Sequence, residues 1–201
     1  MVDKTQAWRV LEYTRNHGIV RPRDMERMGL PRVVIRRLVG QRRLTRRSRG
    51  IYTLPDHEPT PHTGLAEVCA RVPKAVVCLL SALEFHGLTT QIPHEVWVMV
   101  DRAGRRPRIT HPVIRVVYAS GAALHAGTIE HKIEGVAVRI TSPAKTVADC
   151  FKYRRHVGQE VAVEALRDCL RQRKATPSEI HGFGKIDRVA RLMRPYLEAI
   201  G

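Results

Sequence analysis

Apolar residues recur at helical spacing in three short segments at the start of the chain. Residues 5–16, "TQAWRVLEYTRN", place Trp8, Leu11 and Tyr13 toward one side and predict a helix, ended by His17-Gly18 with glycine as the left-handed cap. In "IVRPRDMERMG" Pro22 suits a first helical position, Met25 and Met28 share a face at i, i+3, and Gly29 closes a second short helix. "LPRVVIRRLVG" predicts a third: Pro31 opens it, Val34, Ile35 and Leu38 form its buried stripe, and Gly40 ends it. "RRLTRRSRGIYTL" then reads as two short strands around Arg47-Ser48-Arg49-Gly50. Three helices and a hairpin are the plan of a winged helix-turn-helix.

The texture changes at "PDHEPTPHT", residues 55–63, which has three prolines and no apolar residue. The expected organisation is therefore a winged helix over residues 1–55, a linker over 56–63 and a second domain over 64–201. Beyond the linker, "GLAEVCARV" suggests a helix and "AVVCL" a strand, followed by a helix in "SALEFHGL" with Ser81 and Glu84 as a capping box. Further strands are expected at 95–100, 113–119, 128–135 and 136–141. "SPAKTVADCFKYRR" predicts a helix with Ser142 as cap, and "QEVAVEALRDCLRQRK" is an amphipathic one. Thr176 and Glu179 form a capping box for the next, and "IDRVARLMRPYLEAI" finishes the chain with a possible bend at Pro195. The fold class is α+β, a winged helix-turn-helix followed by a mixed α/β domain.

Charge sharpens this picture. The 201 residues carry a formal net charge of +16. Residues 1–55 hold 14 Lys and Arg against 4 Asp and Glu, so about a quarter of the chain carries +10 of the excess. Such a field attracts polyanions. A membrane-binding helix would need a wide apolar face with Trp or Phe beside the basic one, and residues 31–40 lack it. Nucleic acid is the favoured partner.

In a winged helix-turn-helix the third helix enters the major groove. Arginine suits that position because its planar fork takes guanine O6 and N7 together. Arg32 and Arg36 share one outward face, with Arg37 beside them, while Arg42, Arg43, Arg46, Arg47, Ser48 and Arg49 lie on or near the wing, where phosphates are expected. A solvated charged face would explain one arginine. Eight between Arg32 and Arg49 without a carboxylate repel one another unless an anion is the usual partner. Double-stranded DNA is the expected anion. RNA is the lesser expectation, because few aromatic residues are available to stack bases.

Other chemistries fail on spacing. "HGFGK" (181–185) lacks the phosphate-loop pattern and reads as a turn between helices. Ser81 and His86 form no nucleophile elbow. The ten histidines show no zinc spacing, and Cys69, Cys78, Cys150 and Cys169 are too far apart for C-x-x-C, so no metal or cofactor is expected. Asp101 and Glu134 sit at strand ends without the grouped carboxylates of a magnesium nuclease. No run reaches the ~20 apolar residues of a membrane span. The opening "MVDKTQAWRV" has no apolar signal core. Together with free thiols this gives a cytoplasmic expectation.

"GIVRPRDMERMGLPRVVIRRLVGQRRLTRRSRGIYTLPD" resembles the N-terminal winged helix of AbiEi-type antitoxins: a short helix ending in Gly, an arginine-bearing third helix and a wing closing with "RGIY". "LLSALEFHGLTTQIP" and "TSPAKTVADCFKYRRHVGQEVAVEALRD" resemble that family's second-domain segments, in the same order. The resemblance implies a type IV toxin–antitoxin role. The winged helix would bind inverted repeats in its own promoter and repress the operon. The second domain would counteract a nucleotidyltransferase-like toxin. On this reading the third-helix and wing arginines are operator contacts, Lys145, Lys152, Arg154 and Arg155 are the candidate antitoxicity surface, and Asp149 is an ion-pair partner within the same motif. A stand-alone regulator with a ligand-sensing second domain, and a DNA-processing enzyme fused to a winged helix, remain as alternatives.

Overall fold

The computed structural model describes residues 4–200. The first three residues of the segment read as lacking a signal core, and Gly201, lie outside the described residues. The chain forms two compact units, Met1–Pro73 with Lys132–Val138, and Lys74–His131 with Arg139–Gly201.

The first unit contains helices α1 (Lys4–His17), α2 (Pro22–Arg27) and α3 (Arg32–Gly40), strands β1 (Thr45–Ser48) and β2 (Ile51–Thr53), and helix α4 (Thr63–Arg71). Val10, Met25, Leu30, Val34, Ile35, Leu38 and Leu44 make its core. Fully burying each such side chain stabilises by ~1.5–3 kcal/mol. The buried face of α1 runs through Ala7, Val10 and Leu11, so Trp8, expected on that face, is 59% exposed. The helix period places Trp8 a quarter turn from Ala7, and the aromatic ring is not what fills the core. β1 and β2 pair antiparallel, with Arg46 opposite Tyr52 and Ser48 opposite Ile51. Val20 and Tyr52 exchange backbone hydrogen bonds of 2.8 and 3.0 Å, which ties the wing to the α1–α2 connection. This is a winged helix-turn-helix.

Helix α3 ends at Gly40, as expected, but the chain reverses two residues later at Arg42, in the left-handed region at φ +56°. Amides 42 and 43 bond back to Val39 and Leu38.

The proline-rich segment 56–63 and helix α4 both lie inside the first unit, whose boundary falls at Pro73 rather than 63. The segment is fastened by Glu134. His57 Nε2 lies 3.2 Å from its Oε2, Thr60 Oγ1 donates at 2.9 Å to Oε1, and Thr63 Oγ1 donates to Oε1 as well. Burial alone would raise the Glu134 carboxyl, but these hydroxyl bonds and His57 outweigh it and lower it. Residues without apolar side chains are thus anchored by a carboxylate more than 70 positions away.

The second unit contains a mixed sheet of strands β3 (Val76–Val77), β4 (Val96–Asp101), β5 (Ile114–Ala119), β6 (Thr128–Ile133) and β7 (Val136–Thr141), in the order β5-β4-β3-β7-β6, except for the Lys132–Val138 portion of β6 and β7, which falls in the first unit. β3 is antiparallel to β4 and parallel to β7, and β4 is parallel to β5 along six residues. Its helices are α5 (Leu79–Phe85), α6 (Ala122–His125), α7 (Pro143–Lys152), α8 (Arg154–Val157), α9 (Gln159–Arg171), α10 (Pro177–Ile186) and α11 (Ala190–Ile200). Leu83, Trp97, Met99, Val147, Phe151, Leu166, Ile180 and Met193 share one core. Ser142 caps α7 by accepting from the Lys145 amide, and the Thr176–Glu179 capping box opens α10.

Two local expectations change. Ser81 does not cap α5, which starts at Leu79. Its Oγ instead accepts from the Trp97 amide at 2.9 Å and lies 3.4 Å from the Glu95 carbonyl, satisfying the start of β4. "HGFGK" is not a turn but lies within α10, where Gly184 packs close to Met193 and Ala190. Close helix contact explains that glycine better than chain reversal.

Candidate nucleic-acid interface

Residues of α3, the turn after it and the wing bring the sequence-selected arginines onto one unit. Arg36 is exposed on α3, and Arg42, Arg43, Arg46 and Arg49 are exposed at the turn and wing. None of these five side chains makes a hydrogen bond or ion pair with a described residue. A regular strand would point Arg46 and Arg47 to opposite faces. The ladder is irregular between Arg46 and Ser48, and both arginines are exposed. A bulge re-aims side chains in this way. Gly50, at φ +78°, allows the tight reversal between the strands.

The remaining selected residues are placed differently. Arg32 is exposed but engaged: its Nε donates to Glu26 Oε1, and its Nη2 donates to Oε2 at 3.1 Å. This two-pronged bond holds the Glu26 carboxyl below its ordinary value and raises Arg32. Arg47 Nε lies 3.9 Å from Glu67 Oε1, and Glu67 is buried on α4. Arg37 and Ser48 are half-buried. The run from Arg32 to Arg49 has no carboxylate of its own, yet the fold lends it two, from Glu26 and Glu67.

The structure also adds arginines that spacing did not select. A shallow groove of about 370 Å³ is lined by Arg21, Arg23, Arg32, Arg49 and Arg71, with Ala70 at its edge. Arg21 forks onto Asp24 at 2.5 and 2.7 Å. Arg23 Nη2 donates to the Ala70 carbonyl at 2.6 Å and Arg21 Nη1 to the same oxygen at 3.4 Å. That carbonyl lies in the last turn of α4, where the helix dipole favours cations. Its position 47 residues from Arg23 hid it from local pattern reading.

The second-unit candidates are not all at the surface. Lys145 is wholly buried, so it is withdrawn from the antitoxicity surface. Its Nζ donates to Asp149 Oδ1 and, at 2.9 Å, to Asp187 Oδ2. Burial alone would lower Lys145, but the two carboxylates outweigh it and raise it. Burial pushes Asp149 up to about 7 despite Lys145. Lys152 donates to Asp187 Oδ1 at 3.0 Å, Arg154 is half-buried against the Phe151 carbonyl, and Arg155 is exposed. The cluster joins α7 to α10 as an internal brace. The four cysteines are buried free thiols, and burial raises Cys78 and Cys150 further from the reactive thiolate. Among the described residues, no three or more His, Cys, Asp or Glu side chains gather at metal-binding distance, and no helix is long and apolar enough to cross a membrane.

Residues 9–55 match the family model of AbiEi antitoxin transcriptional regulators. The AbiEi match spans α2, α3 and the wing, with most of α1, and so covers every arginine of the candidate interface from Arg32 to Arg49. It supports a DNA-binding antitoxin regulator. No curated relative matches the chain. The fold is similar to that in the crystal structure of the RV2827C protein from Mycobacterium tuberculosis, with a TM-score of 0.60 and 17% identity over 89% of this chain and 71% of that one. At that identity the likeness is one of fold.

Proposed function

We propose that the protein is an operator-binding antitoxin of the cytoplasm that represses its own operon and counteracts a nucleotidyltransferase-like toxin, without catalysis of its own. The observation that carries this reading is the set of exposed, unengaged arginines on α3 and the wing within the AbiEi match. Arg36 reads a base edge. Arg42, Arg43, Arg46, Arg47 and Arg49 meet phosphates, with Ser48 and Arg37 in support, and Arg32 joins after exchanging Glu26 for DNA. The operator is an inverted repeat in the protein's own promoter.

Gel-shift titration of that promoter against salt is the direct test. About four to six phosphate contacts per protomer give a log–log slope of roughly −4 to −5. Arg36→Ala should cost ~1–3 kcal/mol and relax preference at one base pair, whereas Arg46→Ala should weaken all sequences alike. A flat salt response would sink the basic-grip reading. Antitoxicity is assigned to Lys152, Arg154 and Arg155 of the second unit. Co-expression with the neighbouring gene from foreign promoters separates the roles. Arg36→Ala with Arg46→Ala should lose repression and keep protection, and Arg155→Glu should do the reverse. Loss of protection in the DNA-binding variant would show that protection runs through the promoter.

A further inference from the structure

The second unit holds a groove of about 620 Å³, within the ~300–1,000 Å³ range of small-ligand sites. Arg102, Arg106, Arg115, Trp97, Tyr118 and Tyr153 line it.

Three observations give it a chemistry. The first is the loop at its rim. β4 and β5 are parallel neighbours, so the chain between them must travel back along the sheet, a task usually given to a helix. Residues 102–113 make this crossover without any helix or strand. At 12 residues it is at the upper end of ordinary connections, where loops either serve a function or act as linkers. This one carries Arg102, Arg105, Arg106 and Arg108 and no carboxylate, and all four arginines are exposed. The second is a flat platform. Arg115 Nε donates to Glu95 at 2.6 Å, and its guanidinium carbon lies 5.2 Å from the centre of the Trp97 ring. The Arg115 side chain is still 51% exposed, so a planar cation backed by an indole faces the groove. The third is a fixed wall. The Tyr153 hydroxyl donates to the Tyr118 carbonyl at 2.9 Å, which pins that ring beside the platform.

Bases stack on arginine planes and aromatic rings, and phosphates pair with arginine forks. We propose that this groove binds a nucleoside phosphate, either a free nucleotide or one unit of a single RNA strand, with its base on the Arg115–Trp97 platform and its phosphates on Arg102 and Arg106. The site is separate from the duplex-binding arginines of the first unit and does not depend on their reading.

The chain's two tryptophans make the test direct, because Trp8 is exposed on α1 and Trp8→Phe leaves Trp97 as the sole reporter. Full-length protein carrying Trp8→Phe is titrated with ATP, with tripolyphosphate and with a short oligoadenylate, reading Trp97 fluorescence. ATP should quench saturably, and Arg102→Ala with Arg106→Ala should weaken it about tenfold or more. Arg115→Lys keeps the charge but loses the plane, and should weaken ATP about tenfold while sparing tripolyphosphate. Binding of ATP alone identifies a free nucleotide as the ligand. Tighter binding of the oligoadenylate, lost in the same variants, identifies a strand. The proposal is overturned if ATP gives no saturable quench, if tripolyphosphate matches ATP, or if the variants bind ATP unchanged.

Discussion

Replacing Lys145 with Ala should destabilise the second unit far more than removing any surface lysine. Lys145 is fully buried and is held by the carboxylates of Asp149 and Asp187, which are themselves buried. Without it, Asp149 has no cation within bonding distance among the described residues, and Asp187 keeps only Lys152 at 3.0 Å. Removing one partner of a buried ion pair costs ~3–5 kcal/mol, because the remaining charge is left without solvent or counterion. At ~2–4 °C per kcal/mol for a chain of this size, Tm should fall by about 6–20 °C. Thermal melting followed by circular dichroism measures this directly. Lys145→Ala with Asp149→Ala should recover part of the loss, since the second change removes the stranded carboxylate. A drop below about 1 kcal/mol, or no recovery in the double variant, would refute the brace argument. The result also governs how neutralisation assays are read: a Lys145 variant that fails to protect has lost its fold before it has lost a contact.

The brace also has a pH signature. Asp149 titrates near about 7 in the folded chain against 3.8 when unfolded, so the unfolded state releases its proton first as pH rises, and the stability it contributes is lost between those values. Tm should therefore decline between about pH 4 and 7, and Asp149→Asn should flatten that part of the profile; a rise with pH traced to Asp149 would contradict it. Arg42→Gly should relieve a left-handed backbone and stabilise the first unit by up to ~1 kcal/mol while weakening duplex binding, which a melt and a gel shift read together. Gly135→Ala should destabilise the first unit measurably, because an added Cβ would lie 2.4 Å from the His17 carbonyl oxygen and the residue sits at φ +73°. A variant that melts like the parent would mean that the Lys132–Val138 segment yields at little cost.

The winged helix was legible because each of its signals is local. Pro22 and Pro31 open helices, Val34, Ile35 and Leu38 recur at helical spacing, and Gly50 turns the wing. Ser142 and Thr176 were legible for the same reason, since a cap bonds to an amide three residues on. What the sequence hid is non-local. Ser81 looks like a cap, but the amide it serves belongs to Trp97 in the neighbouring strand. Lys145 looks like a solvated lysine, because Asp187, its second partner, is 42 residues away. The linker looks free until Glu134 is placed beside it. Of the candidate interface, the identity of the arginines could be read in advance, but which of them are already engaged could not. That depends on Glu26 and Glu67 arriving from other helices.

The Arg32–Glu26 fork bears on how such a protein would find its site. Glu26 occupies both prongs of the Arg32 guanidinium, the position that the proposed function gives to a guanine edge or a phosphate. Random sequence, which offers Arg32 only scattered phosphates, must displace a carboxylate that already satisfies both prongs. The displacement costs about as much as the new contact returns, so the arginine adds little grip on bulk genome. A well-placed guanine returns both bonds at once and tips the exchange. If Arg32 contacts DNA as proposed, Glu26 would work as a built-in competitor, shortening each stop during sliding and hopping along non-specific DNA while leaving residence at the operator largely intact.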